Sequence, residues 1–227
     1  MSNILMLHGA LASQKQFNEL IPQLTQHTCH ALNFNGHGGK MVSSKGFGFD
    51  SFTDDILQYL DEHHIETINL FGYSMGGYAA LLFASKYPNR VEKIFTLNVK
   101  FRWDLESTVK ETNFLNPDKM LEKVPGFANN LILQHGMNLW KNMLHQTSQM
   151  MLDMSETNLL TDEKIKLITH PSLLAVGELD TTSSLEETIA MKNKLKDASL
   201  LVIPATPHAF EKISIERLVF EINSFLR

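Results

Sequence analysis

Leu70-Phe71-Gly72-Tyr73-Ser74-Met75-Gly76-Gly77 joins an apolar run, 68–73, to a stretch, 75–87, built almost entirely of small or apolar residues. The first is short and reads as a strand; the second is long, stops before Pro88 and reads as a deeply buried helix. Between them lies Gly-x-Ser-x-Gly, in the strand–turn–helix setting that gives this spacing a physical meaning. Ser74 on a tight, strained turn has an exposed Oγ. Small residues at 72 and 76 let neighbouring backbone pass close by. The backbone N–H of Met75 points at the same spot, and the helix N-terminus adds a field that favours developing negative charge. We read Ser74 as a nucleophile, against the plainer reading of a glycine turn that serves only close strand–helix packing.

Outward from this turn, apolar runs at 4–7, 31–34, 94–97, 173–176 and 200–203 alternate with helix-like segments. The runs are apolar nearly throughout, which suits strands covered on both faces of a parallel sheet. Ser13 with Gln16 resembles a capping box opening a helix through Phe17, Leu20, Ile21 and Leu24. Ser51 with Asp54 and Ser184 with Glu187 open two more, and Ile215, Leu218, Ile222 and Phe225 mark the last helix. Strand–helix alternation predicts an α/β fold with right-handed crossovers. Residues 101–164 break the pattern and contain no convincing strand. They hold both tryptophans, Trp103 and Trp140, and Met120, Met137, Met143, Met150, Met151 and Met154. This predicts a helical insertion after the fourth strand, with 1–100 and 165–227 as the core. Some of its side chains are expected to pack the insertion's own core and others an adaptable apolar pocket. Phe101, Trp103, Trp140 and Met143 are assigned to substrate binding.

At 227 residues and 43% hydrophobic content the chain can bury a full core. The balance of 20 basic against 25 acidic residues, −5, gives no reason to expect nucleic acid or an anionic membrane. The single cysteine, Cys29, excludes an internal disulfide or a cysteine-based zinc site. His63 and His64 have no partner at metal-binding spacing, and no metal or cofactor is expected. No apolar run approaches the ~18 residues of a membrane span. MSNILMLHGA has no basic region and too short an apolar stretch for a signal peptide, so a soluble cytoplasmic monomer or homodimer is the expectation.

Gly72-Tyr73-Ser74-Met75-Gly76-Gly77 is similar to the G-x-S-M-G-G form found in small esterase, lipase-like and acyl-hydrolase members of the α/β-hydrolase superfamily. The resemblance covers 1–100 and 165–227, and the insertion falls where that superfamily usually carries its cap. It implies six mostly parallel strands, since the chain begins almost directly in the first. Leu7-His8-Gly9-Ala10 then introduces the loop that supplies a second oxyanion N–H, from Ala10 or Leu11, beside that of Met75; His8 positions the loop. The family order is Ser, acid, His. Gly177-Glu178-Leu179-Asp180 resembles its G-x-x-D, implying Asp180 as the acid and Glu178 as a solvated neighbour. His208, just past the run 200–203, falls where the family places its base. His135 and His145, in the insertion, could touch substrate. Asn33-Phe34-Asn35-Gly36-His37-Gly38-Gly39 resembles the D-x-x-G-H-G turn, with Asn33 in place of Asp and Lys40 where a small residue is commoner. The glycine-rich run 36–48 is expected to be mobile and to border the pocket.

The chemistry so implied is hydrolysis of a small to medium hydrophobic ester, or thioester, through an acyl-enzyme. Two alternatives stay open. One is a carbon–carbon bond lyase or hydrolase using the same triad, whose relatives offer arginines to carboxylates; the non-terminal arginines here are Arg90, Arg102 and Arg217. The other is a non-catalytic small-molecule receptor.

Overall fold

A computed structural model of the chain describes residues 2–227. Six strands, β1 (Ser2–Leu7), β2 (His27–Leu32), β3 (Ile68–Tyr73), β4 (Val91–Leu97), β5 (Ser172–Gly177) and β6 (Ala198–Ile203), form one all-parallel sheet in the order β2-β1-β3-β4-β5-β6. Helices α1 (Phe49–Glu62), α2 (Met75–Lys86) and α8 (Leu185–Lys194) bring Phe52, Ile56, Leu81 and Met191 onto one face. Helix α9 (Ile215–Phe225) covers the other with Leu218 and Ile222, beside Phe17 and Leu20. Four helices of the insertion follow β4: α3 (Leu105–Thr112), α4 (Pro117–Lys123), α5 (Pro125–His135) and α6 (Trp140–Glu156). A short α7 (Asp162–Lys166) leads into β5.

The inner strands β1 and β3–β5 are buried on both faces along most of their lengths, as their near-continuous apolar sequences require. The edge strands β2 and β6 are only partly covered. That explains the largest boundary difference from the sequence reading. β2 starts at His27, not near 31, because an edge strand tolerates the polar His27 and Thr28 opposite Ser2 and Asn3; Phe34 lies beyond its end, in the following turn.

The helix expected from Ser13 is absent. Two short 3-10 turns, Gln14–Phe17 and Ile21–Gln23, take its place. Pro22 removes a backbone donor inside the stretch. The two polar residues of the supposed capping box are engaged elsewhere: Gln16 Oε1 accepts the Gly9 N–H, and Ser13 Oγ donates to Gln134 Oε1. Helix α1 begins two residues before Ser51, behind Gly48. The Ser184–Glu187 capping box forms as the sequence predicts.

Candidate active site

The sheet sets the site's position. β1 pairs with β2 on one side and β3 on the other, so the strand order reverses there and opens a crevice at the carboxyl ends of the strands. Register carries Leu7 opposite Gly72 and Tyr73 opposite Leu97. The loops leaving β1 and β3 therefore emerge side by side.

Ser74 sits between β3 and α2 with φ 50° and ψ −118°. That backbone costs a non-glycine residue roughly 1–3 kcal/mol. The turn is anchored by the Ser74 N–H, which donates to the Leu97 carbonyl at 2.8 Å. Crowding explains the flanking glycines: a Cβ on Gly76 would lie 2.1 Å from the Leu7 carbonyl oxygen, and one on Gly72 would lie 2.5 Å from that of Gly76.

Asp180 leaves the end of β5 and His208 the loop after β6. His208 Nδ1 lies 2.7 Å from Asp180 Oδ2, and His208 Nε2 lies 3.3 Å from Ser74 Oγ. The second distance is long for a hydrogen bond, and contacts of this kind tighten when a substrate is bound. The Asp180 side chain is fully buried. Oδ1 accepts the Thr182 and Ser183 N–H groups at 2.7 and 2.9 Å, and Oδ2 accepts the Ser183 hydroxyl at 2.7 Å. Burial pushes this carboxyl up, but the His208 hydrogen bond and charge and the Ser183 bonds outweigh it and hold the group below its ordinary value. With Nδ1–H donated to Asp180, Nε2 is left as the acceptor facing Ser74.

Asn98, fully buried at the end of β4 with φ 54°, ties the two loops together and was not foreseen from the sequence. Its Oδ1 accepts the Gly177 N–H at 2.8 Å, and its Nδ2 donates to the Pro207 and His208 carbonyls at 3.3 and 3.2 Å. Tyr73 Oη donates to the same His208 carbonyl at 2.7 Å. The one signal in the sequence was a polar residue closing an apolar strand.

After β1, residues 9–12 form a tight turn. The Ala12 N–H donates to the Gly9 carbonyl, and Leu11 has φ 62°. Ala10, Leu11 and Met75 line the cavity that holds Ser74 and His208. Among the described residues none accepts a hydrogen bond from the N–H of any of these three. Behind the turn, His8 Nδ1 donates to the Gly9 carbonyl at 2.8 Å and Nε2 accepts the Phe34 N–H at 3.2 Å. Burial pushes His8 down to about 4, so it is neutral near pH 7 and serves the loop. His135, buried at the end of α5, touches that loop and does not line the cavity. Its Nδ1 accepts the Gly38 N–H and its Nε2 donates to the Leu11 carbonyl, each at 3.0 Å. His145 is exposed.

The cavity has a volume of about 250 Å³, just under the ~300–1,000 Å³ of drug-sized ligand sites. Phe49, Tyr78, Leu115, Met150 and Met151 make most of its wall apolar, and Lys100 and Glu111 stand at it too. Of the four residues assigned to substrate binding, Trp103 lines it. Phe101, Trp140 and Met143 do not. Phe101 is buried in the core on the α2 side of the sheet. Trp140 and Met143 pack with Met120, Leu131 and Leu144 inside the insertion. The apolar stripe of α6 is continuous, so its periodicity hides a division. Its first turns fill the insertion, and Thr147, Met150 and Met151, one to two turns on, reach the cavity.

Glu178 is exposed, but its Oε2 accepts the Ala205 N–H at 2.8 Å, where Ala205 has φ 50°. Asn33 Oδ1 accepts the Gln14 N–H at 2.7 Å, and Lys40 donates to the Asn33 carbonyl, so both departures from the D-x-x-G-H-G pattern serve one turn. The run 36–48 is tied to Asn35 through Gly46 and Ser43, and none of it lines the cavity; Phe49, just past it, does. Arg90 is bonded to Asp61 and Arg217 to Glu221, and neither lines the cavity. Among the described residues no group of three or more His, Cys, Asp or Glu could hold a metal ion, and no helix is long and apolar enough to cross a membrane.

The comparisons with known proteins agree with this architecture. A mouse serine hydrolase-like protein is 27% identical over 168 residues, covering 59% of this chain and 53% of that protein. An abhydrolase domain-containing protein, abhd-5.2, of Caenorhabditis elegans is 30% identical over 146 residues, 57% of this chain and 33% of its own. The chain thus spans well under two thirds of the curated relatives it matches. A thermophilic esterase from Thermogutta terrifontis superposes with a TM-score of 0.77 at 21% identity, over 100% of this chain and 90% of the other. The family model for the alpha/beta hydrolase fold matches residues 3–139, a stretch that holds the reversal in strand order, the β1 loop and the Ser74 turn, and the chain belongs to that family.

Proposed function

We propose that the chain is a serine hydrolase that cleaves a small to medium, largely hydrophobic carboxylic ester, or a thioester, through an acyl-enzyme on Ser74. The observation that carries the reading is the line from Asp180 Oδ2 through His208 to Ser74 Oγ, at 2.7 and 3.3 Å, beside three N–H groups without acceptors among the described residues. A serine hydroxyl is a poor nucleophile at neutral pH and needs such a base, oriented by a third group.

In the proposed mechanism His208 Nε2 takes the Ser74 proton as Oγ attacks the acyl carbonyl. The oxyanion forms against the Met75 N–H and that of Ala10 or Leu11; each donor of this kind is worth ~10²–10³ in rate. Asp180 holds the imidazole in its tautomer and stabilises the imidazolium. The tetrahedral intermediate collapses as His208 returns the proton to the leaving alcohol or thiol. Water then attacks the acyl-enzyme in the same geometry and frees Ser74. Residues 101–164 act as the cap over a core of 1–100 and 165–227. The small apolar cavity supports a compact substrate, and the esterase among the structural neighbours and the serine hydrolase-like relative support the reaction class.

The test is intact-protein mass after incubation with a fluorophosphonate, followed by a chain-length panel of esters and thioesters. One adduct on the wild type and none on Ser74→Ala is the expected result. An adduct that persists on Ser74→Ala, or none on folded wild type, overturns the assignment.

A further inference from the structure

Lys100 lies just past β4, is 8% exposed and lines the cavity that holds Ser74 and His208. Its Nζ donates to Glu111 Oε1 of α3 and sits 5.0 Å from the centroid of the Trp103 ring. Glu111 and Trp103 line the same cavity. An ammonium has three donors and a carboxylate two acceptor oxygens. Among the described residues each of these groups has a single hydrogen-bonding partner, the other. The Trp103 ring, by cation–π attraction, restrains the ammonium without using up an N–H.

Fold stability does not account for this pair. Taking Lys100 out of water is costly, Glu111 keeps 32% of its side chain exposed and so offsets that cost only in part, and apolar residues of similar volume often serve a fold as well or better. The surrounding wall, with Phe49, Leu115 and Met150, is the environment in which such a replacement would be easy. What the pair offers is recognition: a free N–H and a free carboxylate oxygen on two bonded residues that both line the cavity.

We propose that Lys100 and Glu111 form a polar subsite for a neutral group that both accepts and donates a hydrogen bond on one side, a hydroxyl or a primary amide carried on the substrate away from the scissile carbonyl. This rests on the reading of Ser74 as the nucleophile of the same cavity. Lys100 Nζ donates to the group's oxygen, and the group's own O–H or N–H donates to Glu111 Oε2. An alkyl group in that place leaves the Lys100 N–H desolvated and unpaired and gives Glu111 no donor. A carboxylate gains Lys100 but meets the charge of Glu111. Sites built to bond a substrate hydroxyl reject the analogue without it far more strongly than apolar pockets reject an extra methylene.

The experiment uses ethyl esters of matched chain length, from propanoate to hexanoate, ending in hydroxyl, methyl or carboxylate, and the mirror set with these groups on the alcohol side. Binding to Ser74→Ala protein is measured by calorimetry, and kcat/KM on the wild type. At the best length the hydroxyl ester is expected to bind about tenfold or more tightly than its methyl and carboxylate counterparts, the range for a hydrogen bond to a charged group. Glu111→Gln should reverse the order of hydroxyl and carboxylate, since Lys100 then stands uncompensated. Equal or better binding of the methyl ester, an unchanged order in Glu111→Gln, or binding of none of the set overturns the proposal. Fluorophosphonate labelling of the wild type reports on Ser74 separately. No adduct with the binding order intact removes the hydrolase reading and keeps the subsite; an adduct without the order does the reverse.

Discussion

Asn98→Ala tests how the loops carrying Asp180 and His208 are held. The side chain is fully buried and makes three hydrogen bonds. Its loss strands the Gly177 N–H, which has no other acceptor among the described residues; an unsatisfied buried donor costs roughly 1–3 kcal/mol. Alanine must also adopt φ 54°, a conformation that costs it more than asparagine, for roughly 1–2 kcal/mol more. The His208 carbonyl is not stranded, because Tyr73 Oη still reaches it. The expected loss is about 2–5 kcal/mol, a large part of the ~5–15 kcal/mol that holds a typical domain together. At about 2–4 °C per kcal/mol for a chain of this size, Tm should fall by roughly 4–20 °C. Tyr73→Phe is the control. It removes one of two donors from the same carbonyl and strands nothing, so its bond is worth about 0.5–1.5 kcal/mol. Urea unfolding of both variants, with the rate of fluorophosphonate labelling, reads the two effects. Displacement of His208 by an ångström would slow labelling about 10²-fold in Asn98→Ala. Equal destabilisation in the two variants would refute the reasoning, because it would mean that the Gly177 donor and the backbone conformation carry none of the cost.

Asp180→Asn should lower kcat on the order of 10⁴-fold through loss of the imidazole tautomer. Glu178→Gln, which keeps an oxygen for the Ala205 N–H, should change it little; the opposite result would move the acid to 178. Stability should fall with acid above the usual carboxylate range. His8 titrates at about 4 in the folded chain against an ordinary 6.5, so the unfolded chain binds more protons between those values. Its contribution is whole above 6.5 and is lost as pH falls toward 4, by roughly 3 kcal/mol in all. Burial holds His37 and His135 down as well and adds to the same slope. Urea titrations at about pH 7 and pH 4.5 measure it, and equal stability at the two would refute the account.

The parts of this molecule that could be read from the sequence share a physical cause: each is a local pattern whose partner is the backbone nearby. The Ser74 turn is legible because a strand, two glycines and a buried helix are contiguous. The Ser184–Glu187 box forms because both its members bond within one turn of α8. The same kind of pattern failed at Ser13–Gln16 for an instructive reason. Those side chains were claimed by Gln134 and by the Gly9 N–H, partners distant in sequence or in an adjoining loop, and local propensity has no term for such competition. Asn98 was invisible on the same grounds. A single asparagine at a strand end becomes a tie between two loops only when parallel register brings Gly177 and His208 beside it.

The binding wall was the least legible part, because hydrophobic periodicity reports that a face is covered, not what covers it. Met143 and Met150 fall on one stripe of α6, yet the first meets the insertion's core and the second the cavity. Composition pointed to the insertion's aromatic and methionine residues. The polar pair at the cavity joins the last residues of the β4 exit to the far end of α3, and neither Lys100 nor Glu111 stands out from its neighbours along the chain. The proposed nucleophile and base are specified by the short-range geometry of a turn and a loop. Substrate choice depends on which side chains a long insertion folds back over them, so two chains with the same Ser74 turn can share a reaction and differ in what they accept.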